Sequence, residues 1–259
     1  MESLKDKFES CDIDGKYLLI CDDCMNVLKS MDDCSVDVVF TSPPYNDSGK
    51  TERDMETKRH TKYEHHEFRT DWFEWQCSVI DELLRVTKRH ILYNVQAILS
   101  NKADVYRLIG HYADQIDQIL IWYKPNSQPQ HYANRIANYY EMVIILRGGE
   151  FDKLFINSTG YTNVIVQNIN PNHTYSDQHR AVMSKPFANE IIREFTKPDE
   201  IVLDPFMGLA TTGICCAELG RPFIGVEIHK PYFEIAKERM YKVLDQTSLF
   251  TKVIDKSEN

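Results

Sequence analysis

Residues 201 to 213 read IVLDPFMGLATTG, and the strand-like run FIGVEI follows at 223 to 228. An apolar run enters Asp-Pro-Phe, Gly208 permits a tight turn, and a helical pattern begins near Leu209. A strand, turn and helix in this order aim backbone N–H groups and a helix N-terminus at one point. The next strand ends in an acid, Glu227, whose carboxylate can accept hydrogen bonds from both hydroxyls of a ribose. The pattern is that of a nucleotide-type cofactor site. It lacks the G-x-G-x-x-G fingerprint, which disfavours a dinucleotide.

On both sides of this stretch, short β-rich runs alternate with helical patterns. The strand candidates are 17 to 21, 36 to 40, 90 to 95, 119 to 124, 142 to 147, 163 to 167, 201 to 205 and 223 to 228. Phe187, Ile191, Ile192 and Phe195 recur at helical spacing over 187 to 195, as do Tyr232, Ile235, Ala236, Met240 and Val243 over 232 to 243. Trp72, Phe73 and Trp75 open a further helix and are expected to bury against the sheet. The alternation predicts an α/β sheet with helices on both faces. Two segments interrupt it: 46 to 70, highly charged with His60, His65 and His66, and 148 to 182, rich in Asn, Gly, Thr and His. Loops this long in an α/β domain are usually functional or mobile, and the two segments are candidate substrate-gripping surfaces. The tail after Phe250 reads as loose.

Composition narrows the function. At 259 residues and 42% hydrophobic, the chain can bury a full core. No run approaches the roughly 20 apolar residues of a membrane span, and MESLKDKFES lacks a signal-peptide core, so a cytoplasmic protein without a membrane partner is expected. The seven cysteines show no disulfide-framework spacing and read as thiols. Asp22 lies within CDDC, but a single C-x-x-C is a weak metal signal, and no metal is expected. The net charge of −9 argues against non-specific coating of nucleic acid. Local basic grooves remain available from Lys50, Arg53, Lys58, Arg59, Lys62 and Arg69, or from the region of Lys124, Arg135, Arg147 and Arg180.

A second motif, TSPPYN at 41 to 46, follows the apolar run VDVVF. Together with DPFMGLATTG and GVEIHKPYFEIAKERM, it resembles the S-adenosylmethionine-dependent amino-methyltransferases of DNA, specifically the permuted β class in which the catalytic motif precedes the cofactor motif. The resemblance extends over nearly the whole chain through LLICDDCMNVLKSMDDCSVDVVFTSPPYN, ILIWYKPN, YYEMVIILRGG and HRAVMSKPFANEIIREFTKPDEIVLDPF. It implies a Rossmann-like methyltransferase sheet with a small inserted target-recognition region at 148 to 182. Residues 1 to 147 and 183 to 250 would form the two parts of the catalytic domain, and 251 to 259 a tail.

The resemblance also implies roles. An exocyclic base amine is a poor nucleophile because its lone pair is delocalised into the ring, so acceptors for its N–H bonds are needed. By resemblance these are the Ser42 hydroxyl oxygen and the Pro43 carbonyl. Pro44 holds Pro43 extended, and Tyr45 would stack on a base swung out of the duplex. Asp22 would contact the cofactor's adenine and Glu227 its ribose. The backbone around Asp204, Pro205, Phe206 and Gly208 would meet the methionine portion, with Thr41, Lys185 and Thr211 nearby. The family usually has a small residue and then Gly after the first glycine of the motif, where Leu209 and Ala210 stand here. A sulfonium donor leaves as a neutral thioether, so the chemistry needs no metal and no covalent enzyme intermediate.

In the family it resembles, adenine N6 enzymes mostly carry Asp at the first motif position and cytosine N4 enzymes mostly Ser, so the resemblance favours cytosine N4, with adenine N6 as the alternative within the class. Double-stranded DNA is the expected partner, with Lys50, Arg53, Lys58, Arg59, Asn168, Asn172 and Arg180 as candidate contacts alongside Gln167 and Asn170. The family admits a homodimer and a cognate restriction endonuclease as partners, in a bacterial, archaeal or viral setting. Two other readings stay open at this level: methylation of RNA or of a protein amide, and a DNA-binding module that has lost the cofactor.

Overall fold

In a computed structural model, residues 2–46, 69–127, 136–149, 154–169 and 182–257 are described. The strands are β1 (Ser10–Ile13), β2 (Tyr17–Ile20), β3 (Val36–Thr41), β4 (Thr87–Val95), β5 (Ile116–Tyr123), β6 (Tyr140–Arg147), β7 (Val164–Val166), β8 (Val202–Asp204) and β9 (Phe223–Val226). The helices are α1 (Glu2–Lys5), α2 (Cys24–Ser30), α3 (Trp72–Val86), α4 (Lys102–His111), α5 (Lys185–Phe195), α6 (Thr211–Leu219) and α7 (Lys230–Ser257). Each predicted strand is present within a few residues. β1 is not foreshadowed by any apolar run; it forms as an antiparallel edge on β2. The α7 backbone stays helical past Phe250, over most of the stretch expected to be a loose tail.

The strands form one nine-stranded sheet in the order β1-β2-β9-β8-β3-β4-β6-β5-β7. All but β1 and β6 run parallel. Alternate residues of each central strand serve opposite faces, as the two-residue strand period requires. Leu18, Ile20, Val39, Ile91 and Tyr93 pack with α2, α3 and α4, whereas Leu19, Val38, Phe40 and Leu92 pack with α5, α6 and α7. Phe187 of α5 anchors the second face: its ring stacks on Trp122 at 4.1 Å and meets Phe40 edge-on at 5.9 Å. Burying such a side chain stabilises the fold by roughly 1.5–3 kcal/mol.

β3 lies between β8 and β4, parallel to both. From β8 the chain continues to β9 on one side, and from β3 to β4 on the other. The strand order therefore reverses between β8 and β3, and a crevice opens at the carboxyl ends of strands at such a switch point. Thr41 and Asp204 stand at those two ends.

Candidate active site

Asp22 follows β2, Glu227 follows β9, Asp204 ends β8 and Thr41 ends β3, which puts four of the predicted residues in a row along one edge of the sheet. The row is laced together. The Glu227 amide donates to the Ile20 carbonyl at 3.0 Å, and Thr41 Oγ1 donates to Asp204 Oδ1 at 2.7 Å.

Asp204 is buried and accepts three hydrogen bonds, from Thr41, from Thr212 Oγ1 at 2.7 Å and from the Phe206 amide at 3.1 Å. Burial pushes its carboxyl up to about 6, against the pull of those donors. Its side chain is thus an internal brace that ties β3 to the turn after β8. That turn runs through Gly208, with φ 51°, and Ala210, with φ 57°. Ala210 occupies a left-handed conformation that costs a residue with a Cβ about 1–2 kcal/mol, which is the physical reason a glycine suits this position. The helix starts at Thr211 rather than near Leu209, so Thr211 stands at its N-terminus, and Thr212, one residue on, ties the helix to Asp204. Leu209 is buried, and its carbonyl accepts from Arg239 of α7.

Glu227 is half-buried and accepts from the His229 amide at 2.7 Å. Burial raises its carboxyl to about 7; the backbone amides of His229, Gly208 and Ile228 oppose the rise, and nearby Asp204 adds to it. Asp22 Oδ1 accepts from the Asp23 amide at 2.7 Å and from Asn26 at 2.8 Å. Asp23 caps α2 through the Met25 amide, so CDDC serves as a helix start. Cys24 within it is buried, and its thiol is pushed up to about 12 by desolvation. Lys185 opens α5 and pairs with Glu218 of α6 at 2.6 Å; among the described residues no hydrogen bond joins its side chain to the row.

The Ser-Pro-Pro-Tyr turn leaves β3 and is clamped by side chains the sequence did not single out for this purpose. Trp72 is fully buried and its indole N–H donates to the Pro44 carbonyl at 2.9 Å, while Asn101 donates to the Tyr45 carbonyl at 2.7 Å. Among the described residues no donor reaches the Pro43 carbonyl, which is one of the two acceptors the family resemblance requires. Asn46 and Arg69, which flank positions 47 to 68, are bonded through the Asn46 side chain and the Arg69 backbone at 2.6 and 3.1 Å. Arg69 lies over Trp75 at 4.8 Å, and Trp75 meets Phe206 edge-on at 5.7 Å. An aromatic wall therefore connects α3 to the turn after β8.

Behind the turn lies a polar cluster. Ser42 Oγ is 3.0 Å from the Tyr45 hydroxyl, which donates to Glu141 Oε2 at 2.7 Å. Asn94 Nδ2 donates to the same Glu141 oxygen at 2.7 Å and approaches Tyr45 and Ser42 at 3.0 and 3.3 Å. Lys124 Nζ sits 2.7 Å from Glu141 Oε1, and both side chains are about nine-tenths buried. Lys124 is therefore no part of a basic groove. Arg147 is removed from one too, because it pairs in register with His90 at the opposite end of β4 from Ser42. Gln167, a candidate for reading bases, donates to Glu190 of α5 at 2.9 Å, and the Asn168 carbonyl accepts from Ser184. Lys50, Arg53, Lys58, Arg59, Asn170, Asn172 and Arg180, with Lys62, Arg135 and the three histidines, lie outside the described residues.

Trp72, Asn94, Asn101, Glu141 and Thr212 hold these turns without being singled out for that by the sequence, and Lys124, a candidate for a basic groove, turns out to be buried against Glu141. The legible hint was a charge at the end of an apolar strand run, in ILIWYK and again in YYEMVIILR.

Comparison with known proteins gives the same picture. A family model described as DNA methylase, for N6 and N4 methyltransferases, matches residues 36–238. The Type II methyltransferase M.HpaI of Haemophilus parainfluenzae is 26% identical over 254 residues, spanning 86% of this chain and 73% of that protein. Among solved structures, the PvuII DNA methyltransferase (cytosine-N4-specific) superimposes with a TM-score of 0.68 at 18% identity, over 89% of this chain and 90% of that one. The putative DNA modification methylase TTHA0409 of Thermus thermophilus, complexed with S-adenosyl-L-methionine, gives 0.61 at 23% identity, over 87% and 95%. With its motifs at adjacent strand ends and the family model spanning most of its length, the chain belongs to the N6/N4 DNA methylase family, S-adenosylmethionine-dependent amino-methyltransferases of DNA.

Proposed function

We propose that this protein methylates the exocyclic N4 amine of a cytosine in double-stranded DNA, on a base turned out of the duplex and into the crevice beside Ser42. The observation that carries the reading is the Thr41 to Asp204 hydrogen bond, which locks the catalytic turn against the cofactor turn. S-adenosylmethionine, when bound, supplies an electrophilic methyl group on a sulfonium.

This chain's residues suit that cofactor. Glu227, half-buried at its strand end, would accept from ribose hydroxyls, and Asp22 would meet the adenine. The positive φ at Gly208 turns the backbone without a side chain in the way, and Phe206 adds an apolar wall. Ser42 Oγ and the Pro43 carbonyl would take the two N–H bonds of the target amine and localise its lone pair. Tyr45 would stack on the base, a contact worth about 1–3 kcal/mol.

Ser42 supports cytosine over adenine. Contacts to the duplex would come from Lys50, Arg53, Lys58, Arg59, Asn168, Asn172 and Arg180, and sequence readout from 148 to 182. The Type II designation of the Haemophilus relative supports a place in restriction and modification beside a cognate endonuclease.

The test is to incubate protein, unmodified duplex DNA and S-adenosylmethionine, digest the DNA to nucleosides and run mass spectrometry. N4-methylcytosine is expected. N6-methyladenine would overturn the base assignment, and no methylated base would overturn the reading as a whole.

A further inference from the structure

We propose that the buried Lys124–Glu141 ion pair is a positioning element that fixes the direction of the Ser42 hydroxyl, so that Ser42 offers lone pairs and not a proton to the target amine. The inference rests on the function proposed above. It follows from counting donors. A carboxylate beside an ammonium only accepts, so the Tyr45 hydroxyl, 2.7 Å from Glu141 Oε2, must spend its proton there. The Tyr45 oxygen is then an acceptor toward Ser42, 3.0 Å away, and the Ser42 proton points at Tyr45. With that proton turned away, Ser42 keeps a lone pair for the crevice even where Asn94 Nδ2, 3.3 Å off, takes the other.

Asn94 reinforces this polarity. With Glu141 at 2.7 Å, only its amide nitrogen can face the cluster, so it donates to Glu141 and, more weakly, toward Tyr45 and Ser42. A serine hydroxyl alone is free to rotate and could equally present its proton, which would repel an N–H donor. Glu141 removes that freedom from two hydrogen bonds away, and Lys124 compensates the buried charge.

The test uses Tyr45→Phe, which keeps the ring and the ion pair and removes the relay hydroxyl. Single-turnover methylation is expected to slow roughly tenfold, the equivalent of about one hydrogen bond, with S-adenosylmethionine affinity by calorimetry within about twofold of the parent. Glu141→Gln should slow it similarly, and adding Glu141→Gln to Tyr45→Phe should cost nothing further, because both break one chain. An unchanged rate in Tyr45→Phe, or effects that multiply in the double variant, would overturn the proposal. So would a loss confined to cofactor affinity. If Glu141→Gln does not fold, Tyr45→Phe alone decides. Failure of the functional reading is distinct, since the parent protein itself would then leave DNA unmethylated.

Discussion

Two carboxylate clusters line the same edge of the sheet and solve the problem of buried charge differently. At β8 and β9, Asp204 and Glu227 are surrounded by neutral donors, hydroxyls and backbone amides, and burial lifts their carboxyls to about 6 and about 7. At β6, Glu141 faces a full counter-charge in Lys124. Neutral dipoles compensate a buried carboxylate only in part, so the β8 and β9 ends respond to protons near neutrality. On the Ser42 side the carboxylate is met by a buried ammonium 2.7 Å away, an arrangement that suits the orienting role proposed for it.

The sharpest way to break this contrast is Lys124→Met, which strands Glu141 without its counter-charge. A loss of about 3–5 kcal/mol in denaturant unfolding is expected. A loss below about 1 kcal/mol would mean that the pair behaves as a solvated surface bridge.

Thr212→Val probes the neutral-donor side and should cost about 1–3 kcal/mol, with a pH dependence. The native Asp204 carboxyl is lifted from its ordinary 3.8 to about 6, so the native state holds the proton more tightly and stability falls as pH rises across that interval. Removing a donor lifts it further. The variant's deficit should therefore be small at about pH 5, where native Asp204 is mostly neutral, and complete by about pH 8. A deficit that does not vary with pH would refute the assignment of Asp204 as an ionisable brace.

The smallest expected effect concerns Glu227. With its carboxyl lifted from 4.5 to about 7, the ionised form, which the proposed ribose contact needs as acceptor, is lost as pH falls through neutrality. Calorimetric affinity for S-adenosylmethionine should weaken roughly five- to tenfold between about pH 8 and pH 6. Glu227→Gln should bind more weakly at high pH and lose this dependence; a parallel slope in both proteins would place the titration elsewhere.

Much of the fold was legible because strand residues advertise themselves locally: VDVVF, MVIILR and FIGV are apolar at nearly every position and become buried central strands. β1 was not, because SCDI has no such run and owes its existence to pairing with β2. The two motifs were legible for a similar reason, since proline and glycine act on the chain within a residue or two. Of the basic candidates, Lys124 and Arg147 could not be sorted by sequence. Which end of a strand a charge occupies, and whether an acid faces it, depends on pairing with segments far along the chain.

The sequence by itself determined the alternation of strands and helices, the rigid Ser-Pro-Pro-Tyr turn, the Asp-Pro-Phe turn and the family. Tertiary structure alone decided that Asp204 braces Thr41 across 163 positions and that Tyr45 meets Glu141 across 96. It also decided that Trp72 holds the Pro44 carbonyl and that Lys124 is buried. Torsional preferences are written residue by residue, whereas the partner of a buried polar group is chosen by which strand ends the sheet brings side by side.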